Sequence, residues 1–134
     1  MSENQNVETI RQIYADFGRG NIPGVLAIFT EDVEHQEPPA GQPPFRGTYR
    51  GLKEVGGLFM GMHDAIEVEE FEPQEFFSKG ETVVALGRYR FRVRANGNHY
   101  ETDWTMVWRF RDGKVASWKT YKDSAAEAAA LRTT

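Results

Sequence analysis

From Gly87 to Arg94 the chain alternates without a break: Gly87, Tyr89, Phe91 and Val93 share one parity, and Arg88, Arg90, Arg92 and Arg94 share the other. A second run repeats the pattern. Trp104, Met106, Trp108 and Phe110 fall on one side, and Asp103, Thr105, Val107 and Arg109 on the opposite one. Side chains of a strand point to opposite faces with a period of two, so these runs predict two strands with one face of large aromatic groups. The intervening Ala95, Asn96, Gly97 and Asn98 carry a hairpin turn signal, which makes the two strands antiparallel neighbours. Such a face becomes either a closed core or the wall of a pocket.

A chain of 134 residues has the commonest domain size, so one domain over residues 1–134 is expected. No stretch approaches the roughly 18 apolar residues of a membrane span, and the opening residues show no basic-then-apolar leader. A cytoplasmic location and no membrane partner are therefore expected. There is no cysteine, which excludes disulfides, thiolate metal sites and cysteine nucleophiles. The net charge of -4 argues against binding nucleic acid. The arginine row is instead read as a solvated or subunit-facing strand surface.

Before the strands the spacing is helical. Val7, Ile10, Ile13, Tyr14 and Phe17 predict a first helix, ended by Gly18 and Gly20. Asn21 as cap, Pro23 in the first turn and the apolar Val25, Leu26, Ile28 and Phe29 predict a second. A short extended segment, Val33 to Glu37, leads into a stiff loop of Pro38, Pro39, Pro43 and Pro44. Leu52, Val55, Leu58, Phe59 and Met62 predict a third helix from Gly51 to His63. Strands are then expected over 66–78, bent at Pro73, and over 82–94, 98–111 and 114–122, with a last helix from Asp123 or Ser124 to Leu131. Helices followed by antiparallel strands form the α+β pattern, in which helices cover one sheet face.

Two phrases carry a resemblance: Phe29 to Pro38, reading FTEDVEHQEP, and Trp108 to Val115, reading WRFRDGKV. With the order of elements they make the chain similar to the NTF2-like superfamily, in its SnoaL-like and ketosteroid isomerase-like branch. The resemblance covers nearly the whole chain. It implies a cone-shaped, cystatin-like α+β fold, with three N-terminal helices packed on a strongly bent, mainly antiparallel sheet and a pocket at the open end. It also implies a homodimer through the convex sheet face.

Val33, His35 and Glu37 are two apart in an extended segment and so point the same way. In ketosteroid isomerases the proton-transferring aspartate precedes a proline in the corresponding phrase, and the resemblance places Glu37 there. A carboxylate against an aromatic wall is poorly solvated, so its pKa is expected to rise toward the range useful to a general base. His35 would tune it or act as an acid; each residue also has an ordinary reading, as a solvated loop glutamate and a hydrogen-bonded wall histidine. The carbonyl-polarising groups of the isomerases do not carry over, because Ile13 and Met106 stand at their positions, so steroid isomerisation by that route is not expected. The Asp-Arg-Asp set of limonene epoxide hydrolase-like members is likewise missing from the inward parity. His63 and His99 lie in no ligand motif, and there is no phosphate or dinucleotide loop, so neither metal nor cofactor is expected.

Tyr14, Phe59, Tyr89, Phe91, Trp104, Met106, Trp108 and Trp118 are the candidate substrate-binding wall, a set that also reads as core filling. Lys122 has the parity of Trp118 and Thr120, and is either a group at the pocket mouth or a solvated strand-end lysine. Three functions remain open. The first is a cofactor-independent acid-base enzyme of isomerase, cyclase, hydratase or lyase type, with catalytic Glu37 and His35, acting on a small apolar or aromatic carbonyl-bearing molecule. The others are a non-catalytic carrier of such a molecule and a dimerising interaction module.

Overall fold

The structure is a computed structural model and describes residues 2–38 and 44–132. Helix α1, Glu3–Gly18, begins at a capping box in which Ser2 and Gln5 satisfy each other's backbone N–H groups. Helix α2 is short, Ile22–Leu26, capped by the Asn21 side chain on the Gly24 N–H. Strand β1, Phe29–Glu37, follows, then β2, Gly47–Arg50, helix α3, Gly51–Ala65, and the long strands β3, Ile66–Lys79, β4, Thr82–Val93, β5, His99–Arg111, and β6, Lys114–Lys122. Helix α4, Ser124–Leu131, closes the sequence with Asp123 as its cap.

The six strands form one sheet in the order β2-β1-β6-β5-β4-β3. Every pair is antiparallel except β1 with β6, so the architecture is the expected α+β class. Phe29, expected at the end of the second helix, instead opens β1. Residues 47–50, to which the sequence pattern assigned no element, pair with β1 as an edge strand, His35 opposite Tyr49. Prolines 39 and 43, expected in a stiff loop, lie outside the described residues. Among the described residues, no helix is long and apolar enough to cross a membrane.

Strand parity matches the sequence pattern. Val83, Ala85, Tyr89, Phe91 and Val93 of β4 are buried, as are Trp104, Trp108 and Phe110 of β5. β5 and β6 join through Asp112 and Gly113, both at positive φ, the two-residue turn that matches strand twist. Register shifts between Val68 and Glu70 and between Pro73 and Glu75 interrupt β3, the second of them at the proline where the sequence places a bend.

On the outer face the arginines do not stand bare. Arg88 meets Glu101 at 2.9 Å and Glu70 at 3.5 Å, Arg90 meets Glu69 at 3.2 Å, and Arg92 meets Glu67 at 3.4 Å. Each exposed pair is worth ~1 kcal/mol or less, but together they cancel the repulsion along β4 within the chain itself.

Gly87 shows how tightly the inner face is filled. It sits opposite Trp104 in the β4–β5 register, and a Cβ there would collide with the Trp104 indole and with the Glu72 carbonyl. The carbonyl belongs to the backbone and cannot swing aside. Gly87→Ala is therefore expected to cost about 1–3 kcal/mol in urea unfolding, as overpacking does. An unchanged midpoint would mean that the Trp104 ring does not lie over this position.

Candidate functional site

Beneath α1 and α3 the inner face encloses a cavity of about 60 Å³. Its walls are mostly apolar, from Ile13, Tyr14 and Phe17 of α1, Phe59 of α3, and Tyr89, Phe91, Met106, Trp108 and Trp118 of the sheet. Trp108 and Trp118 stack at 5.1 Å between centroids, and Trp118 carries the His35 ring on its other flank at 4.0 Å. The free volume is below the ~150 Å³ that takes a benzene ring, so a ligand must be small or must displace a side chain.

The polar groups gather at one end. His35 Nδ1 lies 3.1 Å from the Trp118 carbonyl oxygen, and its Nε2 lies 3.0 Å from Glu37 Oε1. Lys122 Nζ is 2.9 Å from Glu37 Oε2 and 2.9 Å from Glu127 Oε2. The side chains of all four are almost fully withdrawn from water, Lys122 at 2% exposure included. The local reasons are simple: β1 parity turns His35 and Glu37 inward, and β6 parity turns Lys122 the same way. The parallel pairing of β1 with β6 sets His35 beside Trp118.

These contacts fix where protons sit. A carbonyl oxygen only accepts, so His35 Nδ1 donates to Trp118; Nε2 then faces a carboxyl oxygen, and one more proton must lie between His35 and Glu37. The pair is either imidazolium with carboxylate or imidazole with carboxylic acid. Burial alone would raise the Glu37 pKa, as the sequence led us to expect. The net shift is the opposite: burial is the largest single influence, but the His35 hydrogen bond and the charges of Lys122 and His35 together hold the carboxyl below the ordinary glutamate value.

Seven of the eight expected wall residues border the cavity, together with Lys122, His35 and Glu37. Trp104 does not; its ring is occupied between Tyr14, 5.5 Å away, and Phe71, 5.2 Å away. Tyr14 faces inward beside Ile13, with its hydroxyl accepting from Trp108 Nε1 at 2.9 Å and lying 3.3 Å from Met106 Sδ. Lys122 is a pocket residue and not a solvated strand end. Phe45, Phe71 and Thr120 also line the cavity, and Thr120 Oγ1 is buried there without a hydrogen-bond partner. His99 pairs with Glu69 at 2.7 Å, away from His35.

Glu127 escaped the sequence reading altogether. It is completely buried, and Tyr100 donates to its Oε2 at 3.2 Å and Tyr89 at 3.5 Å. Burial pushes its pKa up to about 7 against the opposing pull of Lys122, with the Glu37 charge adding to the rise. A signal existed: Glu127 is the lone charge in the run Ala125 to Leu131, next to the buried Ala128 of a helix built mostly of alanine.

The chain is thus an α+β domain whose helix-covered sheet encloses a small apolar cavity with one charged end. The chain belongs to the SnoaL-like domain family, whose pattern matches residues 10–118. It is similar in structure to an NTF2-like protein from Burkholderia xenovorans, with 34% identity, 98% of this chain and 99% of that one covered, and a TM-score of 0.89. An NTF2-like protein of unknown function from Burkholderia pseudomallei shows 30% identity over 99% and 100% of the two chains, also at 0.89. TerC, co-crystallised with polyporic acid, is 26% identical over 95% and 98%, with a TM-score of 0.84. Among curated proteins, no sequence matches.

Proposed function

We propose that the pocket is the active site of a cofactor-independent acid-base enzyme acting on a small apolar carbonyl compound. The observation that carries this reading is the buried row His35, Glu37 and Lys122, joined at 3.0 and 2.9 Å, at one end of an apolar cavity. The Glu37 carboxylate takes a proton from the carbon next to a carbonyl; the C–H electron pair becomes the C=C bond of an enolate as the C=O π pair moves onto the oxygen, and Glu37, hydrogen-bonded to the His35 ring, holds that proton until it is returned to the product. A carboxylate held below its ordinary pKa is a weak base, so it suits only a carbon already acidified, as between two carbonyl groups. The cavity volume adds that the substrate is small. TerC's crystallisation with polyporic acid supports a small-molecule occupant for a pocket of this family.

The test is deuterium uptake from D2O into a panel of small cyclic ketones and β-keto esters, followed by NMR with and without the protein. Exchange above the solvent rate supports the enzyme. Ligands that bind and never exchange would favour the carrier, a reading supported by the hydrogen bond of His35 to Glu37 Oε1 and the ion pair of Lys122 with Oε2, which already engage both oxygens. We further propose a homodimer through the outer sheet face, where Tyr121 is about half exposed. Light scattering at micromolar concentration should return twice the chain mass, and a monomer at every concentration would remove the proposal.

A further inference from the structure

Read along the cavity end, the four buried groups alternate in charge type: His35 and Glu37 on β1, Lys122 on β6, Glu127 on α4. With the shared proton in place and Lys122 charged, the first three carry one net positive charge inside an apolar shell. An uncompensated buried charge is costly, and the cheapest relief is loss of a proton. We propose that Glu127 is a positioning residue of the pocket: its carboxylate balances Lys122 and thereby keeps the proton shared by His35 and Glu37 in place. The C-terminal helix is then part of the site. This rests on the reading of His35 and Glu37 as the acid-base pair.

The surroundings support the role. Glu127 does not line the cavity and reaches it through Lys122; helix α4 brings no other charge to the cluster, since Ala128 and Ala130 are its other buried residues. The titratable groups facing Glu127 are Tyr89 from β4, Tyr100 from β5 and Lys122 from β6, with Glu37 beyond the lysine; Tyr49 of β2 stands beside His35 at 6.4 Å. Both tyrosines on Glu127 are pushed above their ordinary pKa, so they remain neutral donors and leave Lys122 as its one cationic partner among the described residues. The carboxylate form of Glu127 comes on as pH rises through about 7.

The experiment is a pH titration of the His35 ring nitrogens by ¹⁵N NMR in the full chain, compared with Glu127→Gln, Glu127→Asp and the double variant Lys122→Met/Glu127→Gln. Glu127→Gln should lose the shared proton roughly one pH unit lower, a tenfold change in its dissociation constant. Glu127→Asp should recover most of the wild-type value, and the double variant, which removes one charge of each sign, should return to it or go above. Titration of Glu127→Gln coincident with wild type, or a double variant displaced in the same direction as the single, overturns the proposal. If Glu127→Gln does not fold, the wild type decides: a step in the His35 shifts at the pH where the Glu127 carboxyl carbon titrates supports the coupling, and no step overturns it. None of these measurements uses a substrate. Full exchange activity in Glu37→Gln would therefore remove the enzymatic reading while leaving the charge coupling to stand or fall by itself.

Discussion

Replacing Glu37 with glutamine should lower deuterium exchange by roughly 10²-fold or more, since the substitution keeps the shape and removes the proton acceptor. Binding of the same compounds should persist, because the apolar walls are untouched. Stability should move as well, and its sign follows from the pKa. The native Glu37 carboxyl lies below its ordinary value, so ionised Glu37 stabilises the fold at neutral pH, and that contribution is lost as pH falls through the native pKa. Glu37→Gln is therefore destabilising at pH 7 and less so in acid. A raised carboxyl would have given the reverse, a variant more stable than wild type near neutrality. Urea unfolding at pH 7 and in acid separates the two. Undiminished exchange in the glutamine variant would sink the acid-base assignment and leave the carrier ahead.

Lys122→Met should be the most damaging single change to the fold, at about 3–5 kcal/mol at pH 8, because it strands buried carboxylates that share one cation. The methionine fills much the same volume, so the loss is electrostatic and not a cavity effect. Its pH dependence is diagnostic. Glu127 has a pKa of about 7 even with Lys122 beside it, and loss of the lysine raises it further, so the penalty should shrink in mild acid as one of the two stranded charges takes up a proton. For the same reason the wild type should lose stability as pH climbs from the ordinary glutamate range through 7, since the native state holds the Glu127 proton longer than the unfolded chain does. A loss below ~1 kcal/mol at pH 8, the value of an exposed pair, would mean that Lys122 reaches solvent and does not bridge the two carboxylates.

Much of the fold was legible because its signals are local. Period two in β4 and β5 told which side of each strand is buried, and the same rule turned Val33, His35 and Glu37 inward together. Helix spacing, Asn21 and Asp123 as caps and Asp112 with Gly113 as turn located most of the remaining elements. The edge strand β2 was not visible, because four residues of a strand paired on one side carry too little alternation to stand out.

Parity states which face a side chain occupies and says nothing about its neighbours there. That Trp104 packs over Gly87 behind Tyr14 while Trp108 and Trp118 face the cavity depends on how α1 sits on the sheet. The arginine row, which suggested a partner when read alone, is neutralised by glutamates of β3 and β5 that only the sheet register brings opposite. The sign of the Glu37 shift is the clearest case. From the sequence one could name an aromatic wall and a carboxylate, and from those alone burial would win. Lys122 stands 85 residues along the chain, brought in by the pairing of β1 with β6, and Glu127 arrives on a helix packed against β5. Charge interactions fall off with distance and depend on how much water intervenes, and both quantities belong to the assembled fold and not to any local pattern.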